Sequence, residues 1–334
     1  MPERAASIDA FLQVAGWGEA MRRPLTGDAS ARRYIRLHQP GGPRAILMDD
    51  PARDTDRFAR VARHLRARGL SAPDILAWNS DQGLMLLEDL GDGLLARLCE
   101  TSPEMEDPVY AAAVDVLIAL HGFAAPDWAA PFAAEVMADQ ATLVLPWYAG
   151  NPSEADAGTL RALLKTALAP KDATAPVLLM RDYHAENLIW LPQRDGVQRI
   201  GLLDFQDAVS GHPAYDLASL IADARRDLSP GLAERLIAQY AAATGQSPQT
   251  VTRDVALLRV QRTLRILGVF ARLSQRDGKH HYIDLIPRVW AQLVDALSAC
   301  ASPALADTLL AQMPPPTPEH LTRLRPVCAP HPGQ

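Results

Sequence analysis

Apolar residues return on one helical stripe most cleanly over 54–68. Phe58, Val61, Ala62 and Leu65 stand three and four apart there, and Gly69 follows at the position of a C-terminal cap. Ahead of it, Ile8, Phe11 and Leu12 share one face of a short amphipathic helix predicted within 7–19. Between the two, 32–37 alternates and 45–48 is apolar, with the turn His38-Gln39-Pro40-Gly41-Gly42-Pro43 joining them as a hairpin. Two more strands are expected at 74–78 and 83–87, joined by Asn79-Ser80-Asp81-Gln82, before Glu-Asp-Leu-Gly-Asp-Gly at 88–93 breaks the pattern. Beyond that point the helical period dominates, over 109–121, 158–168, 216–225, 231–243, 251–274 and 280–299. Three short apolar strands interrupt it at 177–180, 188–191 and 200–203, and a proline-rich tail from about Pro314 reads as irregular. The expected architecture is α+β and bilobal, with a small β-rich lobe over 1–90 and a larger helical lobe over 91–334.

The short strands gain meaning from what lies between them. Arg181-Asp182-Tyr183-His184-Ala185-Glu186-Asn187 fills the gap after the first, and Leu202-Leu203-Asp204-Phe205-Gln206-Asp207 follows the third. Phosphoryl transfer from ATP needs such a set: one carboxylate, Asp182, to orient the acceptor hydroxyl and take its proton, and an amide and a second carboxylate, Asn187 and Asp204, to hold Mg2+ on the phosphates. An Asp and an Asn capping turns between strands would leave the same letters at 182 and 187. The third member, at the strand–turn–strand interval, favours the chemical reading. Asp207 could be a further ligand, a substrate contact or a loop brace. Asp216 is expected as the N-cap of the next helix, bracing the catalytic loop.

The order of these motifs resembles the aminoglycoside phosphotransferase family, the small-molecule branch of the protein-kinase-like fold, over about residues 20–300. Leu25-Thr26-Gly27-Asp28-Ala29-Ser30-Ala31-Arg32-Arg33-Tyr34, Ile46-Leu47-Met48-Asp49, Leu87-Glu88-Asp89-Leu90-Gly91-Asp92 and Asp204-Phe205-Gln206-Asp207-Ala208 look more specifically like the anomeric sugar kinases of peptidoglycan recycling. That group phosphorylates N-acetylmuramate and N-acetylglucosamine at the C1 hydroxyl. The resemblance makes 26–31 the loop over the phosphates, with Gly27 and Ser30 letting backbone N–H groups approach them. It makes 86–90 the interlobe hinge, where the main chain of Glu88 and Leu90 would face the purine.

One position departs from the kinase pattern. The strand that should carry a phosphate-pairing lysine reads Ala45-Ile46-Leu47-Met48, with Met48 in the lysine's place, and the helix over 54–68 has no glutamate to pair with it. Arg32 or Arg33 on the neighbouring strand is the expected replacement. Acceptor contacts are expected among His184, Glu186, Asp207, Glu135, Trp147, Tyr215 and Arg225, with Glu135 on a helix leading to Trp147-Tyr148.

Composition narrows the setting. A net charge of −6 and no basic stripe exclude broad nucleic-acid binding. Of 33 basic residues only Lys165, Lys171 and Lys279 are lysines, so 30 are arginines, and a mechanism needing a lysine has few candidates. Cys99, Cys300 and Cys328 show neither pairing nor metal spacing, no apolar run reaches membrane-spanning length, and the N-terminus lacks a signal-peptide pattern. A cytoplasmic enzyme without an implied protein partner is expected, and the resemblance implies a small sugar as its substrate. Kinases of another small alcohol (aminoglycoside, choline, homoserine) and a nucleotide-binding pseudokinase regulator are the rival expectations.

Overall fold

The stripe Phe58, Val61, Ala62 and Leu65 is buried along its whole length in a helix. Gly69 after it has φ +74° while Leu70 N–H closes the end on the Leu65 carbonyl, the left-handed termination that glycine adopts without a Cβ penalty. The computed structural model describes residues 2–25, 32–150, 153–300 and 302–325. Its contacts divide the chain into two compact units, Met1–Val116 with Ala185–Ala208, and Leu117–His184 with Val209–Gln334.

The first unit holds a five-stranded antiparallel sheet in the order β1-β2-β3-β5-β4, formed by β1 (Met21–Leu25), β2 (Arg33–His38), β3 (Arg44–Asp49), β4 (Ile75–Asn79) and β5 (Leu84–Glu88). Alternation along these strands sends Leu37, Ala45 and Leu47 to one face, where Phe11 and Leu12 of α1 (Pro2–Val14) and Trp17 cover them. This helix starts earlier and stops sooner than its apolar pattern suggests. Trp17 N–H bonds to the Leu12 carbonyl and Gly16 takes φ +77°, which ends it. After α2 (Thr55–Arg66), the turn into β5 passes Gly83 at φ +64°, where a Cβ would sit 2.3 Å from the Asp50 carbonyl oxygen. Only glycine permits that approach. Also in this unit are α3 (Leu95–Thr101), most of α4 (Glu106–His121), and the antiparallel pair formed later in the chain by β7 (Leu188–Trp190) and β8 (Ile200–Leu202).

The second unit is helical around α9 (Pro248–Asp277), a 30-residue helix buried on most of its circumference. Against it lie α5 (Ala134–Ala141), α7 (Ala214–Ile221), α8 (Leu232–Thr244) and α10 (Ile286–Ala299), with α6 (Glu154–Leu168) packed beside α5. At Gly268 a Cβ would lie 2.7 Å from the Val144 backbone nitrogen, so this helical glycine is what admits the 143–144 backbone. Strand β6 (Val177–Leu179) pairs with β9 (Val209–Gly211), not with β7. The strand ahead of the catalytic motif thus has its own partner, which at three residues is too short to show as an apolar run. The tail is corrected too. After α11 (Pro303–Gln312), residues 318–323 form α12 (Pro318–Arg323), because Thr317 caps His320 N–H at 3.2 Å and proline is welcome in a first helical turn. Among the described residues, no helix is long and apolar enough to cross a membrane.

Candidate active site

Asp182 sits on a loop whose backbone is fixed from below. Leaving β6, the chain takes φ +67° at Arg181, and the two N–H groups of Met180 and Arg181 donate to the two carboxylate oxygens of Asp216, at 2.7 and 2.9 Å. The Arg181 carbonyl is bound in turn by Arg262 Nη1 of α9 at 2.9 Å. Asp216 is therefore not the N-cap of α7; Pro213 holds that position, and Asp216 lies inside the first turn with its carboxylate turned to the loop, which bears out the bracing role. Full burial pushes its pKa up to about 7, against the opposing pull of the two backbone N–H donors and Arg262. An amide offers one acceptor where the carboxylate offers two. Asp216→Asn is expected to cost about 1–3 kcal/mol by leaving one buried N–H unsatisfied. The folded protein also takes up a proton here between the ordinary carboxylate range and about 7, so this group adds stability as pH falls through that window. Calorimetric melting from pH 7 to 5 should therefore show the gap between wild type and Asp216→Asn widening toward acid.

The Asp182 carboxylate lies 3.6 Å from Arg262 Nη1 and 3.8 Å from Arg265 Nη1, both on α9. Enclosure by its neighbours disfavours the charge, but Arg265 and Arg262 outweigh it, with His184 and Arg181 adding to them, and hold the group below the usual carboxylate range. It is anionic at neutral pH and about a third open to solvent, as a group that receives a hydroxyl must be. His184 is buried and its pKa is lowered, chiefly by burial and opposed by Asp223. Arg225 belongs to the same electrostatic neighbourhood, and its N–H donates to Asp223 Oδ1 at 2.9 Å.

Other acceptor candidates fare differently. Tyr215 has no exposed surface, meets Phe132 edge-on at 5.2 Å and lies under the Arg262 guanidinium, so it is packing beneath the loop and not an open sugar contact. Glu135 does open the helix α5 but is occupied at the surface by Arg161 at 2.7 Å and Lys165 at 2.5 Å, which hold it below its ordinary pKa. The carbonyl of Trp147 receives Gln275 Nε2 at 2.7 Å, leaving the indole half-buried. Glu186 is exposed.

In the first unit, Asn187 ends a 3-10 turn at the entrance to β7 and Asp204 lies just past β8. Leu203 N–H donates to the Asn187 carbonyl at 2.9 Å, which ties the two positions together. Asp204 is exposed, takes φ +54°, and accepts a hydrogen bond from Gln206 Nε2 at 2.7 Å, while the next residue, Phe205, packs its ring against Phe58 of α2 at 4.9 Å, tilted by 35°. An amide oxygen and an exposed carboxylate on a firm backbone are hard oxygen donors that fit Mg2+. Asp207 is engaged by Arg57 at 3.1 Å, the loop-brace alternative.

The sheet supplies the remaining candidates. Met48 is fully buried, opposite Tyr34 in the β2–β3 register. Arg33 pairs with Asp49 at 2.9 Å, beside Arg4 of α1, and Arg32 pairs with Asp50 at 2.9 Å. Glu88 donates its N–H to the Asp74 carbonyl and binds Arg194 through its side chain at 2.5 Å; Leu90 is buried with Ile189 and Leu191. Gly27 and Ser30 lie outside the described residues. Sequence reasoning missed Arg262, Arg265, Asp223 and Asp50. The spacing of three at Arg259, Arg262 and Arg265 on one helix was the available signal for the first two.

The profile of the phosphotransferase enzyme family (APH) matches residues 22–252. A protein of Caulobacter vibrioides named N-acetylmuramate/N-acetylglucosamine kinase is 39% identical over 356 residues, covering 91% of this chain and 94% of that protein. Among solved structures, a choline/ethanolamine kinase family protein from Mesorhizobium loti superposes with a TM-score of 0.62 at 17% identity, covering 96% of this chain and 99% of that one. The ADP-bound aminoglycoside phosphotransferase APH(2'')-Ib gives 0.60 at 15%, covering 89% and 98%. With a sheet-bearing first unit, a helical second unit, the family profile matched over 22–252 and this relative at 39% identity, the chain is a phosphotransferase of the APH family, built on the protein-kinase-like fold.

Proposed function

We propose that this enzyme transfers the γ-phosphoryl group of ATP, with Mg2+, to the C1 hydroxyl of N-acetylmuramate and N-acetylglucosamine, giving the α-1-phosphate in peptidoglycan recycling. The observation that carries the chemistry is the anionic, partly open Asp182 carboxylate, with two arginines of one helix close to one of its oxygens, on a loop pinned by Asp216. The amino-sugar relative supports the acceptor class. Asp182 orients the hydroxyl and receives its proton as the oxygen–phosphorus bond forms and the bond to the ADP oxygen breaks. Asn187 and Asp204 would hold Mg2+, and the ion would supply positive charge that neutralises the transferred phosphates. Residues 1–90 supply the nucleotide elements, with Gly27, Ser30 and the Glu88 and Leu90 main chain, and 91–334 supply the catalytic and acceptor groups, His184, Arg225 and Glu186 among them. Such a reaction, needing ATP and a small sugar, belongs in the cytoplasm.

The two nearby arginines make Asp182 a weak base, which suits an acidic hydroxyl. An anomeric hydroxyl is more acidic than an ordinary alcohol, so the pairing of weak base and acidic acceptor is consistent. The experiment is incubation with ATP, Mg2+ and either sugar, followed by phosphorus–proton coupled NMR. Coupling of phosphorus to the anomeric proton is expected. A 6-phosphate, or turnover only on choline, homoserine or an aminoglycoside, overturns the anomeric reading.

A further inference from the structure

The kinase fold places a lysine on its third strand and pairs it with a glutamate on the following helix; here the strand has buried Met48 and the helix α2 has no glutamate. We infer that the lysine–glutamate pair has been relocated to Arg32 and Asp50, so that Arg32 is the cationic contact for the nucleotide phosphates and Asp50 its positioning residue.

Their partners separate the two arginines that flank the start of β2. Arg33 belongs with the odd-numbered positions of that strand, Leu37 among them, on the face that α1 covers; its partner is Asp49, which also binds Arg4 of α1. Arg32, the residue just ahead of the strand, interacts with the Tyr34 side chain, and Tyr34 stands directly across the ladder from Met48. A guanidinium at Arg32 is therefore two residues along the chain from the residue paired with the position where the lysine is missing. Its reach compensates for the offset, since an arginine side chain is long and presents five donors.

The pair is also built as a positioning device. Arg32 Nε donates to Asp50 Oδ2 at 2.9 Å, and Asp50 Oδ1 is held by Ala52 N–H at 3.0 Å, so the carboxylate cannot rotate away. The Asp50 backbone is itself locked, its N–H donating to the Gly83 carbonyl at 2.9 Å. Arg32 Nη2 reaches the Asp54 carbonyl at 3.3 Å. The two side chains are 11% and 3% exposed. Burial of an ion pair seldom repays its desolvation in stability, so this arrangement asks for a use. Tyr34 links it to the metal candidate: burial raises the tyrosine's pKa, Arg32 opposes that, and Asp204 is among the charges that act on it. Arg32, Tyr34 and Asp204 thus share one electrostatic neighbourhood in the first unit.

The inference rests on ATP being the phosphoryl donor, and binding of Mg-ATP measured by calorimetry tests it without any acceptor. Arg32→Ala and Arg32→Gln are expected to weaken binding about 10- to 100-fold, the range for losing a charged contact. Arg32→Lys should recover most of it, and Arg33→Ala should bind as wild type. Asp50→Asn should weaken binding less than Arg32→Ala, because the cation remains but is no longer aimed. Met48→Lys in the Arg32→Ala background should regain part of the loss. Wild-type affinity in Arg32→Ala and Arg32→Gln overturns the assignment, as does a folded double variant that regains nothing. If wild type binds Mg-ATP with this pattern yet phosphorylates neither sugar, the proposed acceptor fails and the Arg32 assignment stands.

Discussion

Asp182→Asn is expected to lower turnover by about 10²–10⁴-fold, the span associated with loss of a positioned base, with Mg-ATP binding nearly unchanged. The substitution keeps the shape of the side chain and removes its charge. The neutral amide no longer balances Arg262 and Arg265, which stand 3.6 and 3.8 Å from the carboxylate. The loop itself should hold, because its anchors are the Met180 and Arg181 N–H groups on Asp216 and the Arg181 carbonyl on Arg262, none of which uses the Asp182 side chain. A thermal midpoint near that of wild type should therefore accompany the loss of activity. Retention of more than about a tenth of wild-type turnover, a barrier change near 1.4 kcal/mol, would remove Asp182 from the role of base.

The second large effect is expected at Asp204. Asp204→Ala should abolish the part of nucleotide stabilisation that depends on Mg2+, leaving wild type stabilised by ATP with Mg2+ and the variant no more stable than with ATP and EDTA. The carboxylate is exposed and accepts a hydrogen bond from Gln206, whereas the backbone around it is set by Phe205 on Phe58 and by Leu203 on Asn187. Truncation therefore removes a ligand without dismantling the turn. A Mg2+-dependent thermal shift that survives in the variant would reassign the metal to other oxygens.

Parts of this molecule were plain in its sequence and parts were hidden, for physical reasons. The helix over 54–68 showed itself because one face is buried continuously, which forces the spacing of Phe58, Val61, Ala62 and Leu65. The hairpin was readable because α1 covers one sheet face and alternation follows, whereas the later pair at 75–79 and 84–88 showed as the turn Asn79-Ser80-Asp81-Gln82 ahead of a continuous buried apolar run, Leu84 to Leu87. Strand β9 was not, since Val209-Ser210-Gly211 holds a ladder with only one large apolar side chain. The last helix lay behind prolines that begin α12 instead of preventing it. Asp182, Asn187 and Asp204 were legible from local spacing alone. Arg262 and Arg265 act on Asp182 from about eighty residues away in the chain, and their spacing of three on one helix is a faint signal among 30 arginines. The Arg32–Asp50 pair was half visible: the missing lysine pointed to the start of β2, but only the partners, Asp50 for Arg32 and Asp49 for Arg33, separate the two arginines.

Two of the three non-glycine residues with positive φ among those described, Arg181 and Asp204, flank or form the proposed chemistry. Left-handed backbone costs an L-residue roughly 1–2 kcal/mol, less for aspartate, and glycine escapes it. A heat-challenge selection blind to turnover therefore has a standing incentive to install glycine at 204, where the side chain makes little packing and the backbone would relax. The resulting protein would survive the challenge with its phosphoryl chemistry gone. Thermostability programmes on this scaffold should hold Arg181 and Asp204 fixed and look for gains at positions such as Val14 and Met21, which are exposed and distant from that chemistry in the chain.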